Sequence, residues 1–284
     1  KDPATDHQRV VIVAEESQLE ELVIGPSSAA DDFLIKPFNA QDLATKVRPF
    51  LSGDDDERTI STGNGELDAK MGGGIPLGSL TLIEGDSHAG KSVLAQQMTW
   101  GSLHDGFEAA FFTTENTVRS LVTQMDSLNL DILPFLLLRR LRLFPMEVAR
   151  LENMAIERLT TAIKQEAKKN RDMVFLDALT PCITASPVDR VLSFFEECRR
   201  VCAAGTSIVT TLHSYAVDRD LLVRIQSLCD AHLRLRTEEV GERLIKTMEV
   251  AKVRGASKKT GNIVSFEVEP DIGMRIIPLS KAQG

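Results

Sequence analysis

The chain reads as short apolar runs separated by polar, turn-forming stretches, and the spacing inside each run separates strand from helix. Residues 10–14 (VVIVA) are continuously apolar and predict a buried strand, and 18–24 predict a short helix. Residues 32–37 predict a second strand that stops at Pro37, and the helical spacing in 40–51 predicts an amphipathic helix. From residue 80 onward strands alternate with helices. Strands are predicted at 80–84, 109–114, 173–177, 207–213 and 231–236, with helices starting near Gly90, Thr117, Glu147, Val188 and Arg219. The helix from Glu147 is drawn as one piece to Asn170, because Val148, Leu151, Ile156, Leu159 and Ile163 share a face. Such alternation implies an α/β fold with a parallel, helix-covered sheet. Beyond residue 240 the pattern turns to strands again. Residues 244–253 pair with 263–268 across a loop at 255–261, adding antiparallel strands to the sheet.

The pattern breaks once. Gly53-Asp54-Asp55-Asp56-Glu57-Arg58 holds no apolar residue, which suits a solvated linker. The predicted organisation is a small β-α-β-α segment (1–53), a linker (54–58) and a large α/β domain (59–284). Of 284 residues, 43% are apolar, enough for a core and too many for a disordered chain. The first segment is too small to bury a good core alone. No apolar run approaches the roughly 20 residues that span a bilayer. A net charge of −8 and a pI near 5.3 argue against a protein that holds duplex DNA by its phosphates. The start, Lys1-Asp2-Pro3, has neither an initiator Met nor a signal-peptide pattern, which leaves room for residues upstream. Cys182, Cys198, Cys202 and Cys229 form no CxxC pair and have no His at zinc-site spacing, so they read as buried thiols in a reducing compartment.

The chemistry concentrates at Gly85-Asp86-Ser87-His88-Ala89-Gly90-Lys91-Ser92, which fits G-x-x-x-x-G-K-S/T in full and sits between a predicted strand and a predicted helix. Glycines let backbone N–H groups curl around a phosphate, and the helix start adds positive potential. Lys91 then reaches the β/γ oxygens of a nucleotide, and Ser92 ligates Mg²⁺. The strand 173–177 ends in Asp177, the expected carboxylate for the water shell of that Mg²⁺. Ala178 follows it, so a base for hydrolysis must come from elsewhere. Thr211 and His213 end the strand 207–213, where polar groups can sense a terminal phosphate; a satisfied structural His is the plain alternative.

The order of phosphate loop, acid after the second strand, Asp177 and Thr-x-His resembles the RecA/KaiC group of P-loop ATPases. That resemblance implies ATP as the nucleotide. It also makes Glu115, at the end of the strand after the loop's helix, the candidate base; the alternative is a carboxylate capping the helix from Thr117. Asn116 stands where relatives with robust turnover carry a second Glu. In KaiC-like rings a Lys-x-Arg pair on a late strand reaches the neighbour's γ-phosphate. Lys252 and Arg254 fit this, since alternate strand residues share a face; two basic residues guarding an edge strand is the other reading.

The resemblance extends through Gly72-Gly73-Gly74-Ile75-Pro76, Gln124-Met125-Asp126-Ser127-Leu128, Leu212-His213-Ser214-Tyr215-Ala216 and Ile225-Gln226-Ser227-Leu228. It continues through Lys252-Val253-Arg254-Gly255-Ala256 and Gly273-Met274-Arg275-Ile276-Ile277-Pro278. Together these resemble the KaiC-like ATP-binding proteins of the archaellum motor. The resemblance implies tight ATP binding with slow or negligible hydrolysis, and a homo-oligomeric, hexameric ring in ATP. It implies a cytoplasmic place under the membrane-embedded motor, inside a ring scaffold protein and against the secretion-type motor ATPase. The acidic charge leads to the expectation of no nucleic-acid partner. A RecA-type strand-exchange protein would need a basic loop where 215–230 has mixed charge; an autokinase of the KaiC kind is the remaining alternative.

Ala30-Asp31-Asp32-Phe33-Leu34-Ile35-Lys36-Pro37-Phe38 resembles the end of a response-regulator receiver domain, with Lys36-Pro37 at the family's Lys-Pro pair and Ala14 where a switch Ser or Thr is usual. Only the last two β-α units are covered, and the phosphoacceptor half is missing. This implies a remnant used for docking a signalling partner, with a working phosphorylation switch as the alternative.

Overall fold

The structure, a computed structural model, describes residues 11–15, 32–38, 43, 59–151, 154–169, 171–240, 243–253 and 262–277. Two compact units are present: Lys1–Arg58 with His104–Gly106, and Thr59–Leu103 with Phe107–Gly284. In the first, β1 (Val11–Glu15) pairs in parallel with β2 (Asp32–Lys36), and Lys36 Nζ lies 3.3 Å from Glu15 Oε1. Ala14 and Leu34 are buried. The helices predicted at 18–24 and 40–51 lie outside the described residues, except for Leu43, which is helical. The linker 54–58 lies outside them too.

The second unit opens with β3 (Thr59–Ile60), α1 (Gly65–Met71) and β4 (Ile75–Pro76). Gly72 ends α1 in the left-handed region at φ 86°, where a glycine is needed to accept the turn. Then come β5 (Leu80–Gly85), α2 (Lys91–His104), β6 (Ala109–Thr113), α3 (Val118–Asp126), α4 (Leu133–Leu137) and β7 (Leu141–Pro145). They are followed by α5 (Val148–Leu151), α6 (Ala155–Ala167), β8 (Met173–Asp177), α7 (Thr180–Thr184) and α8 (Val188–Ala203). After β9 (Ser207–His213) come a 3-10 turn (Ser214–Ala216) and α9 (Arg219–Leu228). The unit closes with β10 (Ala231–Val240), β11 (Arg243–Val253), β12 (Ile263–Glu269) and β13 (Gly273–Ile277).

β3 and β4 pair with each other, and the remaining strands of the unit form one sheet in the order β13-β12-β11-β10-β5-β9-β8-β6-β7. From β10 to β7 neighbours run parallel; β10 through β13 are antiparallel. A mostly parallel sheet with antiparallel C-terminal strands is therefore what the alternating pattern predicted. β5, β6 and β8 are buried along their whole length, as strands covered on both faces must be. Ile83, Phe111 and Phe175 face one apolar layer with Leu94 and Met98 of α2. Leu82, Phe112 and Leu176 face the other with Leu159 of α6 and Phe195 of α8. Register puts the strand ends level. Gly85 lies opposite both His213 and Leu235, and Thr113 lies opposite Asp177.

Three expectations change. The helix drawn from Glu147 to Asn170 is two helices, α5 and α6, with Met154 at the start of the second. Helical periodicity reports which face is buried, and both pieces bury theirs on the same apolar layer, so the spacing runs through the break unmarked. β10 continues four residues past the predicted end and forms a hairpin with β11, Val240 opposite Arg243. β7 and β13, both short strands outside the alternating core, were not predicted. The expected pairing of 244–253 with 263–268 is present as Lys246↔Phe266 through Glu249↔Ile263, and its loop at 255–261 lies outside the described residues.

Candidate phosphate and metal site

The level ends of β5, β9, β8 and β6 bring the predicted residues together in three dimensions. The loop Gly85–Ser92 leaves β5 and turns into α2, whose first residue is Lys91. Its glycines answer to the surrounding fold as well as to a phosphate. A Cβ on Gly85 would stand 2.1 Å from the Leu235 carbonyl oxygen, and one on Gly90 would stand 3.1 Å from the Phe266 ring. Lys91 is only 4% exposed, and its ammonium donates to the carbonyl oxygens of Gly85 (3.1 Å) and Asp86 (2.5 Å). Burial pulls its pKa below the ordinary lysine value, against the pull of Glu115, Asp177 and Asp86. This is a cation held inside the loop with only neutral acceptors hydrogen bonded to it.

Asp177 is 1% exposed at the end of β8. Its Oδ1 accepts from Ser92 Oγ (3.0 Å) and Thr211 Oγ1 (2.7 Å), while Oδ2 is buried with no hydrogen-bond partner among the described residues. Burial raises its pKa to about 6; Glu115 adds to the rise, and the bonds from Thr211 and Ser92 and the Lys91 charge only partly oppose it. A buried carboxylate with a spare oxygen beside a serine hydroxyl is a hard, oxygen-only donor set that fits Mg²⁺. Asp177 and Ser92 would hold such an ion directly or through its waters, and the ion would supply charge neutralisation for phosphate oxygens.

The turn after β6 is fastened to the end of β8: Thr114 N–H donates to the Asp177 carbonyl (3.0 Å) and Thr114 Oγ1 to that of Ala178 (2.8 Å). Glu115 follows, exposed, with its N–H on Thr113 Oγ1. Its charge acts on Lys91, Asp177 and His213 alike, so it borders the same space. It does not cap α3. Thr117 and Ser120 form that cap as a reciprocal pair, and Asn116 Oδ1 accepts from Ser120 Oγ. His213 is partly buried, its N–H on Thr180 Oγ1 (2.9 Å) and its Nδ1 3.1 Å from the same oxygen. Burial and then the Lys91 charge lower its pKa, which keeps the ring neutral at pH 7.

Lys252 is not at this site. On β11 it lies opposite His232, toward the far end of the sheet, roughly 10 Å of strand away from the level of Gly85. Its ammonium donates to the Cys229 carbonyl oxygen. Arg254 lies outside the described residues. Residues 215–230 fold as the 3-10 turn and α9. The four cysteines are free and buried, and burial pushes the Cys182 thiol up to about 11 and Cys202 to about 12. No helix among the described residues is long and apolar enough to cross a membrane.

Sequence reading missed three parts of this arrangement: Thr180, Tyr215 and the charge beneath the loop. Glu84, 1% exposed, directly precedes Gly85. It accepts from Arg234 Nε (2.8 Å) and Gln226 Nε2 (3.0 Å to each oxygen); His232 Nε2 lies 3.0 Å away but off the line of a hydrogen bond. Arg234 continues to Glu249 at 3.3 Å. Burial alone would raise the Glu84 pKa, but His232, Arg234 and Gln226 together outweigh it and hold the carboxyl at about 2. A charged residue inside an apolar strand was the available signal. Because the folded pKa is depressed, the stability it contributes is complete above the ordinary 4.5 and is lost as pH falls from there toward 2. Glu84→Gln is expected to cost roughly 3 kcal/mol at pH 7, and much less near pH 3. Urea titrations of both proteins at the two pH values check this; an equal difference at both would refute it.

The family model described as ATPase: KaiC matches residues 60–281. An archaeal flagellar ATP-binding protein FlaH from Sulfolobus acidocaldarius is 31% identical over 78% of this chain and 97% of its own length. The FlaH of Methanocaldococcus jannaschii is 28% identical over 76% and 94% respectively. The crystal structure of a flagellar accessory protein FlaH from Methanocaldococcus jannaschii superposes with a TM-score of 0.68 at 25% identity, covering 78% of this chain and 98% of that one.

Proposed function

Because the chain belongs to the KaiC family of ATPases, and within it groups with the archaeal flagellar ATP-binding proteins, we propose that it is an ATP-binding component of the archaellum motor that uses nucleotide as a signal. The observation that carries the reading is the pairing of the buried Lys91 cation with the unfilled lone pairs of Asp177 Oδ2, beside Ser92. ATP with Mg²⁺ satisfies both at once. In this reading Gly85, Asp86, Ser87, His88, Ala89 and Gly90 cradle the phosphates, and Thr211 and His213 sense the terminal one.

Hydrolysis is slow in this proposal. Glu115 is the acid placed to act as base, because Ala178 follows Asp177 and Asn116 is engaged in the α3 cap. Nucleotide occupancy then governs self-association into a hexameric ring and contact with the motor's secretion-type ATPase and ring scaffold protein, at the cytoplasmic side of the membrane. Since Lys252 stands away from its own loop, any phosphate it meets belongs to a neighbouring copy. The receiver-like first unit serves as a docking piece for a signalling partner.

Calorimetric titration with Mg²⁺-ATP and Mg²⁺-ADP, paired with mass photometry with and without the motor ATPase, tests the proposal. Micromolar or tighter ATP binding, turnover well below about 1 per second, and complexes that change with nucleotide are the expected results. No heat of binding, or rapid turnover by the isolated protein, would overturn it.

A further inference from the structure

Tyr215 is the only tyrosine in the chain. It sits in the 3-10 turn directly after β9, so its backbone is fixed to the strand that ends at His213, yet its side chain is 67% exposed. Its hydroxyl lies 2.9 Å from Ser87 Oγ, the third residue of the phosphate loop. Its ring centroid lies 5.6 Å from that of His213, tilted by 54°. The side chain therefore spans from the end of β9, where His213 feels Lys91, Glu115 and His88, to the outer arm of the loop.

We infer that Tyr215 is a phosphate-contact residue that distinguishes a nucleoside triphosphate from a diphosphate, its hydroxyl turning from Ser87 Oγ to the terminal phosphate. This rests on the nucleotide-binding reading above. The bond to Ser87 joins two neutral hydroxyls at an exposed position, where water competes on nearly equal terms. A phosphate oxygen offers the same phenolic O–H a charge-assisted bond about twice as strong. The exchange needs only side-chain rotation, because the turn anchors the backbone and most of the side chain is exposed to solvent. A diphosphate is held by the loop amides and Lys91. A third phosphate is the group that extends toward Asp177, Glu115 and His213, the corner that Tyr215 covers.

The single tyrosine makes this directly observable. Full-length protein labelled with 3-fluorotyrosine gives one fluorine resonance. It is recorded with Mg²⁺ alone, with Mg²⁺-ADP and with Mg²⁺ and the non-hydrolysable imido analogue of ATP. The analogue is expected to shift the line, while ADP leaves it within a linewidth of its ligand-free position. In parallel, Tyr215→Phe keeps the ring and removes the donor. It is expected to weaken analogue binding about tenfold and ADP binding less than about twofold, read by calorimetry on a variant whose melting curve is unchanged. Identical line positions with the two nucleotides, or an unchanged ratio of their affinities in Tyr215→Phe, would overturn the inference while leaving nucleotide binding intact. Failure of the wild-type protein to bind either nucleotide would instead overturn the proposed function, and this inference with it.

Discussion

Lys91→Ala is expected to weaken ATP binding by about a hundredfold or more, while leaving the protein as stable as before or slightly more so. The two effects point in opposite directions for one physical reason. The ammonium is 4% exposed and its two hydrogen-bond acceptors, the Gly85 and Asp86 carbonyls, carry no charge. Burial therefore holds its pKa below the ordinary 10.5, which means the protonated form is disfavoured by folding. A lysine with a lowered folded pKa subtracts stability at neutral pH, and that subtraction fades as pH rises toward 10.5. Alanine removes the buried charge and gives up the stem's packing and two hydrogen bonds to neutral carbonyl oxygens. For a phosphate, the same desolvated cation is at its strongest, because little water screens it. Calorimetric affinity and thermal melting on the same samples decide the matter. A variant that binds ATP within fivefold of wild type, or that unfolds well below it, would contradict the account.

The parts of this site that can be read from the sequence are those whose chemistry demands fixed residues at fixed spacing. Gly85 to Ser92 is legible because phosphate binding, magnesium ligation and helix initiation all fall inside one stretch, and Asp177 because an apolar strand ends on it. The partners of Thr180, Tyr215 and Glu84 are illegible for the opposite reason. Thr180 meets His213 across 33 residues, Ser87 meets Tyr215 across 128, and Glu84 meets Arg234 across 150. Those contacts exist only because the registers of β8 with β9 and of β5 with β9 and β10 set strand ends level, and no local pattern encodes register between strands so far apart. The fold itself is legible where strands are buried on both faces, as in Leu80-Thr81-Leu82-Ile83. It is not at β7, where Leu141-Arg142-Leu143-Phe144 pairs only with β6 at the sheet's edge and alternates too briefly to stand out. The α5–α6 break shows the limit of periodicity: it fixes which side faces the core and says nothing of continuity.

Asp177→Asn should produce the second large effect, a protein that melts higher than wild type at neutral pH and has lost its dependence on Mg²⁺ for nucleotide binding. Folding raises the Asp177 pKa from an ordinary 3.8 to about 6, chiefly by burial. For an acid shifted upward the ionised form is the one that folding disfavours. The cost is present in full above pH 6, shrinks as pH falls through that value, and is gone below the ordinary pKa. Its size at pH 7.5 is roughly 3 kcal/mol. Asparagine keeps an oxygen for Ser92 and Thr211 to donate to, and it removes the charge. Against that gain stands the amide N–H₂ placed where Oδ2 has no partner, which returns about 1 kcal/mol or more. A net stabilisation of roughly 1 to 2 kcal/mol at pH 7.5, closing as pH approaches 4, is the expected thermal result. Magnesium works through the same carboxylate with the opposite sign: the ion needs the ionised form, so its contribution in wild type should fade as pH drops through about 6. Melting curves of both proteins with ATP, with and without EDTA, at pH 7.5 and pH 5 separate these contributions. If the variant responds to EDTA as wild type does, Asp177 is not the metal's carboxylate, and its unfilled oxygen must serve some other cation.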